Sequence, residues 1–403
     1  MTGREKWMGI IEVRHDKCDL CKRCIEVCPF GAVEVESGRI SINSACKICK
    51  LCIKKCPKEA IVIAIDPRPI VNKEDWKGVM VFVEHQDGKI HPVTFELIGK
   101  ARQLAGKINH PVYCVFIGSG IGQKAKELIN YGVDRIFVYD YEPLKHYRVD
   151  VYADVFENCI NRVKPAIILV GATSVGRSLA PRLSTRFRTG LTADCTKLEV
   201  KENTDLVQIR PAFGGNIMAQ IITTNTRPQF ATVRYKVMDA AERIKNPSGT
   251  VEECHMDEEM LESNIKVIKV APKETLPGIS DAEVLVVAGR GLKEQMDLQM
   301  LEELAALLGG QTAVTRPLVE AGWASYTKQI GLSGRTVKPR LIITCGVSGA
   351  VQFTSCMNTS EYIFAINKDK NAPIFRTAHY GVVGDLYEVV PELIRQIKEG
   401  KEQ

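Results

Sequence analysis

The 403-residue sequence contains no apolar run near the ~18 residues from which a membrane-spanning helix is read, and its mean hydropathy is −0.06. An integral membrane protein is therefore not expected. The first fifteen residues set Arg4, Glu5, Lys6 and Glu12 among apolar neighbours, so no signal-peptide core or cleavage site is legible and a cytoplasmic location is expected. Neither sign of charge dominates. The 54 basic and 48 acidic residues leave a net charge of +6, spread along the chain, and no nucleic-acid footprint. Compositional bias is also missing: 45% hydrophobic and 25% charged residues are ordinary for soluble globular proteins and exclude a disordered or collagen-like chain. At roughly 100 to 200 residues per domain, the length implies two to four domains.

What the chain has in excess is cysteine. Of fourteen, eight (Cys18, Cys21, Cys24, Cys28, Cys46, Cys49, Cys52 and Cys56) lie in the first 56 residues, while Cys114, Cys159, Cys195, Cys254, Cys345 and Cys356 are scattered. Cytosolic thiols stay reduced, so a dense cluster reads as metal ligands before disulfides. The first four follow the spacing Cys-x2-Cys-x2-Cys-x3-Cys and precede Pro29; the second four repeat it and precede Pro57. This run binds 4Fe-4S clusters, with the fourth cysteine of each copy serving the other copy's cluster. Two copies predict two 4Fe-4S clusters, one on Cys18, Cys21, Cys24 and Cys56, the other on Cys46, Cys49, Cys52 and Cys28. Structural zinc is the alternative, although zinc sites usually pair two Cys-x2-Cys knuckles across a longer gap. FGAVEV after the first run matches EAIVIA after the second, each expected as a short strand. Such a head conducts single electrons. The six scattered cysteines are expected to be buried small hydrophobes.

Beyond Ile65 the prolines of DPRPIV place a boundary near residues 66 to 75. VMVFV (79–83), VYCVFI (112–117), RIFVY (135–139) and AIILV (166–170) read as buried strands, and residues 95–107, 122–132 and 153–163 carry helical apolar spacing. That alternation predicts a mostly parallel sheet covered by helices. Two glycine-rich turns, GSGIG (118–122) and GATSVGR (171–177), could offer backbone amides to a phosphate, but neither completes the dinucleotide fingerprint and both are read first as tight βα turns. RPAFGGN (210–216), AQIIT and RPQFATVR (227–234) read as edge or antiparallel strands. Prolines and charges over 246–281 place another boundary near 270–281. A second α/β unit then opens with EVLVVAGRGL (283–292), helix 299–309, strand LIITC (341–345), turn GVSGAVQF (346–353) and strand YIFAI (362–366). Ligands of open α/β sheets sit at the carboxyl ends of strands, where Arg290, Ser348, Asn367 and Asp385 fall.

Read in order, VVAGRGL, TRPLVEAGW (315–323), QIGLSGRTVKP (329–339), CGVSGAVQF (345–353), AINKDKNAPIF (365–375) and YGVVGDLYEVVP (380–391) resemble the α subunit of electron transfer flavoproteins, over residues 75 to 403. The implied fold is α/β: a ferredoxin-like domain with two 4Fe-4S clusters at 1–66, then two doubly wound α/β domains at 75–270 and 280–403, the last binding FAD. By the same resemblance, Arg290 and the turn Ser348, Gly349, Ala350, Val351 and Gln352 contact the cofactor, the turn's amides and helix N-terminus suiting its pyrophosphate. Asn367 and Asp385, with Leu386 beside it, hold the adenosine half. Arg316, preceded by Thr315, lies against the isoalloxazine, and Gln329, Ile330, Gly331, Leu332 and Ser333 line the ring, the Ser333 hydroxyl reaching N5. A fixed guanidinium there favours the anionic reduced flavin. Ser333 stands where Thr is common. Phe353 stands where many members have a His directed at the flavin C2 carbonyl, so one hydrogen bond to the anionic flavin is lost.

A ferredoxin-like head on such a subunit resembles the versions found in flavin-based electron bifurcation. The resemblance implies a β subunit carrying a second FAD and the NAD site, a ferredoxin acceptor, and an acyl-CoA dehydrogenase-like reductase, for example of the caffeyl-CoA type, or alternatively a flavin-dependent lactate dehydrogenase. It also implies a C-terminal domain that swings about the 270–281 connection, in an electron-carrier subunit of an NAD- and ferredoxin-linked oxidoreductase. A non-bifurcating flavoprotein whose head docks ferredoxin, and a nucleotide-binding sensor, are the rival readings. No basic stripe or DNA-binding element supports the sensor.

Overall fold

The computed structural model describes residues 10–43, 45–64, 71–212, 217–271 and 278–401. The chain divides into two compact units, Met1–Ile70 and Val71–Gln403.

In the first unit Ile10–Val13 pairs antiparallel with Ile61–Ala64, and Val33–Glu36 with Arg39–Ile42. Both expected strands after the cysteine runs are therefore present. Ile11, Val33, Ile40 and Ile61 form a small core with Cys24 and Cys52. The internal repeat extends to backbone torsions. Leu20 and Ile48, Lys22 and Lys50, and Gly31 and Glu59 are equivalent pairs, and all six have φ between 49° and 67°. A left-handed residue bearing a side chain costs about 1–2 kcal/mol. Five of these six are not glycine, so their conformation is imposed by what the loops must surround.

The second unit contains two parallel sheets. The first runs in the order Leu191–Cys195, Gln229–Val233, Ile167–Gly171, Val79–Val83, Val112–Gly118, Arg135–Asp140, Thr250–Glu253. Val79, Val81 and Val83 enter one apolar core while Met80 and Phe82 enter the other, so this strand is buried on both faces and reads as an unbroken apolar run. Helices Val93–Ile108, Gly122–Ile129, Val149–Val163 and Ser174–Arg186 cover the faces. One expectation is corrected. Gln229–Val233 is an interior parallel strand, fully buried, because Pro228 precedes the ladder and removes no donor from it. Thr250–Glu253, to which the sequence reading assigned no element, is an edge strand paired with Arg135–Val138, within the expected 75–270 domain. Leu206–Ala212 and Ile217–Ile222 are antiparallel as expected, in a three-stranded sheet with Lys197–Val200. Residues 213–216 of the RPAFGGN segment and 272–277 of the 270–281 connection lie outside the described residues.

The second sheet runs Gln329–Ile330, Gln311–Thr315, Val284–Ala288, Leu341–Cys345, Tyr362–Asn367, Tyr380–Val383, every pair parallel. Numbered along the chain this order is 3-2-1-4-5-6, so the winding reverses between Val284–Ala288 and Leu341–Cys345. A crevice opens at such a reversal, at the carboxyl ends of the two central strands. The six scattered cysteines are all buried, as expected. Among the described residues no helix is long and apolar enough to cross a membrane.

Candidate functional site

Two loops meet at the reversal, and glycine lets them. A Cβ on Gly289 would fall 2.3 Å from the Gly346 carbonyl oxygen, and one on Gly291 would fall 2.6 Å from the Gly346 Cα. Gly346 itself has φ +64°. The Gly-Arg-Gly turn thus packs backbone against backbone, and Arg290 projects from it into the crevice. The turn after Leu341–Cys345 is fixed from the other side: Gly349, at φ +83°, leaves no room for a side chain, since its Cβ would lie 2.1 Å from the Ile374 amide. The Ile374 N–H donates to the Ser348 carbonyl at 3.1 Å.

The resulting cleft has a volume of about 930 Å³, within the range of small-molecule and cofactor sites. Arg290, Thr315, Arg316, Gln329, Ile330, Gly331, Leu332, Ser333, Ser348, Ala350, Gln352, Phe353 and Asn367 line it together. Asp385 and Leu386 line an adjoining groove, which shares Gly291, Gly346 and Asn367 with the cleft and adds Lys293, Lys368 and Tyr387. Gly349 and Val351 line neither; Gly349 shapes the turn and Val351 opens a helix of only four residues, Val351–Thr354. A full helix N-terminus behind the turn, as anticipated from the sequence, is therefore not present, and any anion there would rest on loop amides and on Arg290. Sequence reasoning also missed Glu320, Asp369 and Pro373, which line the cleft; they lie within TRPLVEAGW and AINKDKNAPIF but were given no role there.

The ring-lining loop is held in three ways. The Gln329 amide donates to Ser333 Oγ at 2.8 Å, which leaves the Ser333 hydroxyl proton free for another acceptor. The Leu332 N–H donates to the Gln352 carbonyl at 2.9 Å, joining this loop to the turn opposite. Arg234, at the end of Gln229–Val233, donates to the Leu332 carbonyl at 3.0 Å and pairs with Asp194 at 3.2 Å. Arg316 pairs with Glu320 at 2.8 Å across an exposed helical turn, a contact worth little that water can replace. Phe353 is 6% exposed and belongs to the apolar core beneath the cleft, so it offers a wall and no donor. Asn367 donates to the Val347 carbonyl at 2.8 Å, and Asp385 accepts from the Tyr387 N–H at 3.0 Å, so both also have structural work.

In the first unit, Cys28 lines one small cavity with Cys46, Cys49 and Cys52, the grouping that crossed ligation requires. The Ala32 N–H donates to Cys28 Sγ and the Ala60 N–H to Cys56 Sγ, both at 3.3 Å. That first bond holds the Cys28 thiol below its ordinary range. Burial pushes the Cys24 and Cys52 thiols up, and neighbouring cysteines add to it, so gathering these thiolates is unfavourable unless a cation compensates them. Among the described residues no three Cys, His, Asp or Glu side chains converge tightly enough for one bare ion.

One candidate is closed. The GSGIG amides are already filled: Asp140 accepts from the Gly120 N–H at 2.6 Å and from those of Ile121 and Gly122 at 2.9 Å. In the GATSVGR turn, Thr173 caps its helix through the Gly176 N–H and donates to the half-buried Glu84 at 2.5 Å.

The electron transfer flavoprotein domain matches residues 79–259, its FAD-binding domain residues 278–358, and the 4Fe-4S binding domain residues 11–34. The electron transfer flavoprotein subunit alpha of Clostridium acetobutylicum is 42% identical over 81% of this chain and 99% of its own length. The chain belongs to the electron transfer flavoprotein α-subunit family. The FAD-binding match contains both glycine turns and the ring-lining loop of the cleft, the strand ending in Asn367 follows it, and a 4Fe-4S binding domain precedes it. The lactate dehydrogenase (NAD(+),ferredoxin) subunit LctC of Acetobacterium woodii is 56% identical over 93% of this chain and 89% of its own. The acryloyl-CoA reductase electron transfer subunit beta of Anaerotignum propionicum is 36% identical over 81% of this chain and 97% of its own.

Proposed function

We propose that this electron transfer flavoprotein α subunit binds FAD in the cleft between Arg290 and Phe353, carries two 4Fe-4S clusters in its head, and relays single electrons within a flavin-based bifurcating complex. Its partners in this reading are a β subunit with a second FAD and the NAD site, a ferredoxin, and a lactate dehydrogenase-like flavoprotein. The observation that carries the cofactor site is the strand reversal, where two glycine-permitted loops bring Arg290, Ser348 and Gln352 to one crevice. The lactate reading draws on the reach of the similarity: the 93% coverage by the lactate dehydrogenase subunit is possible only if the head is included, whereas the acryloyl-CoA reductase subunit matches 81%. An acyl-CoA partner is accordingly the second choice.

Bound in these sites, FAD and the clusters supply one-electron chemistry that side chains cannot. The chain's part is electrostatic and steric. Arg290 places positive charge at the mouth of the crevice for an anionic pyrophosphate. Ser333, its oxygen already accepting from Gln329, is oriented to donate its proton inward. Gln329, Ile330 and Phe353 are buried and keep water from the cleft wall. Anaerobic titration of the purified complex with NADH, in the presence of ferredoxin and the lactate-side acceptor, is the test. Coupled ferredoxin reduction is expected; its absence from flavin- and iron-replete complex would rule bifurcation out.

A further inference from the structure

The two cysteine runs fold alike but present different surfaces. Around the second run, Phe30, Ile48 and Leu51 are 45%, 39% and 41% exposed, and Phe30 and Leu51 border the cavity that Cys28 shares with Cys46, Cys49 and Cys52. Lys47 lines the same cavity, Lys50 is exposed three residues on, and Lys54 and Lys55 end the short helix Leu51–Lys55. Among the described residues none of these four lysines is paired with a carboxylate. At the first run Leu20, the equivalent of Ile48, is likewise 41% exposed, but the places of Leu51 and Phe30 are taken by Arg23 and Lys58, and Asp19 and Glu26 stand where Lys47 and Lys54 do. The repeat is therefore its own control: one face has three apolar side chains at its centre and an uncompensated basic rim, the other keeps one of the three and is mixed in sign.

An apolar centre within a polar rim is the anatomy of a protein interface, and brief redox encounters use small ones. Like-signed rim charges speed encounter with an opposite surface by 10- to 1,000-fold on-rates. We infer that the face formed by Phe30, Ile48 and Leu51 with Lys47 and Lys50 is the docking surface for an acidic one-electron carrier protein, and that the equivalent first-run face is not. The inference rests on the proposed second cluster. One electron passes between the carrier and the second-run site, one being oxidised as the other is reduced: toward the carrier in the bifurcating direction, away from it in the test below; no bond forms and no proton moves.

The test uses the intact complex, made without air, and a small acidic two-cluster ferredoxin as the probe. Carbodiimide cross-linking should join ferredoxin carboxylates to Lys47 or Lys50 in preference to Lys22. In stopped flow at low ionic strength, oxidation of chemically reduced ferredoxin should slow at least about tenfold with K47E/K50E, less with K47Q/K50Q, and converge on the wild-type rate at high salt. R23E/K58E, the same change on the other face, should alter the rate less than about twofold. Iron content at the wild-type level qualifies each variant. A rate indifferent to Lys47 and Lys50, or equally sensitive to Arg23 and Lys58, overturns the docking surface. Wild-type complex that lacks iron would instead overturn the cluster reading beneath it.

Discussion

Replacing Asp140 by alanine removes the carboxylate that fills the amide donors of the GSGIG turn. Its two oxygens accept three N–H groups, from Gly120 at 2.6 Å and from Ile121 and Gly122 at 2.9 Å. Hydrogen bonds to a charged partner are worth about 1.5–3 kcal/mol each when burial prevents replacement. Gly120 is exposed and the Gly122 bond, from a half-buried residue, faces solvent, so water takes over two of the three; Ile121 is buried and loses its partner outright. Substitution of a helix-capping acid ordinarily costs about 0.5–2 kcal/mol, and loss of negative charge at the start of Gly122–Ile129 adds about 0.3–1 kcal/mol. The expected sum is about 1–3 kcal/mol. In a unit this large that is a fall of a few degrees in thermal midpoint, since about 2–4 °C accompany each kcal/mol even in a smaller domain. The emptied turn is then an anion site: phosphate at ten times its dissociation constant should restore about 1.4 kcal/mol. Thermal melts of wild type and D140A, with phosphate and with chloride at equal ionic strength, give the answer. Were D140A as stable as wild type, or raised no further by phosphate, the claim that this loop is a phosphate cradle closed by its own chain would be wrong.

Gly346→Ala sets a Cβ against the Gly291 Cα at 2.6 Å in a left-handed conformation, and backbone cannot step aside; we expect a flavin-to-protein absorbance ratio well below wild type, and full flavin content would count against the crevice. Phe353→His adds a donor worth about 1.5–3 kcal/mol to a developing negative charge, raising the first-electron flavin potential by about 60–130 mV at 59 mV per tenfold; an unmoved potential in spectroelectrochemical titration would show that this side chain does not face the flavin. Glu96 is buried on helix Val93–Ile108, its carboxyl raised to about 7 chiefly by burial against an unfolded value of 4.5. The raised value favours the folded state below about pH 4.5, and that advantage is lost as pH climbs toward 7. Glu96→Gln should remove the loss, so the variant gains about 2–3 kcal/mol on wild type between pH 5 and 7.5; parallel denaturation midpoints across that range would refute it.

The parallel strands were legible because burial on both faces produces unbroken β-branched runs such as VMVFV and LIITC. Thr250–Glu253 was not, because an edge strand with exposed charges carries no apolar run. Gln229–Val233 was misplaced by its preceding proline, a local signal overruled by five buried residues. At the cleft, motif positions Arg290, Gln329, Ser348 and Asn367 converge as expected, whereas Gly291 and Gly346 carry their meaning only in each other's company. Close approach of two backbones distant in sequence leaves no periodicity behind. The same limit applied to GSGIG, where the occupant of the turn, Asp140, sits a full strand later.

The left-handed residues of the head bear on how the protein is made. Leu20, Lys22, Ile48, Lys50 and Glu59 each hold a torsion that an unliganded loop would relax, and the apolar core beneath them is a handful of side chains. A unit of this size is marginal even without such penalties, so a cluster bound there would act as a folding ligand. In cells starved of iron the head would be the part that digests away, leaving residues 71–403 with their own cores intact. Iron supply would then decide whether the cell holds a flavoprotein with its relay or one without.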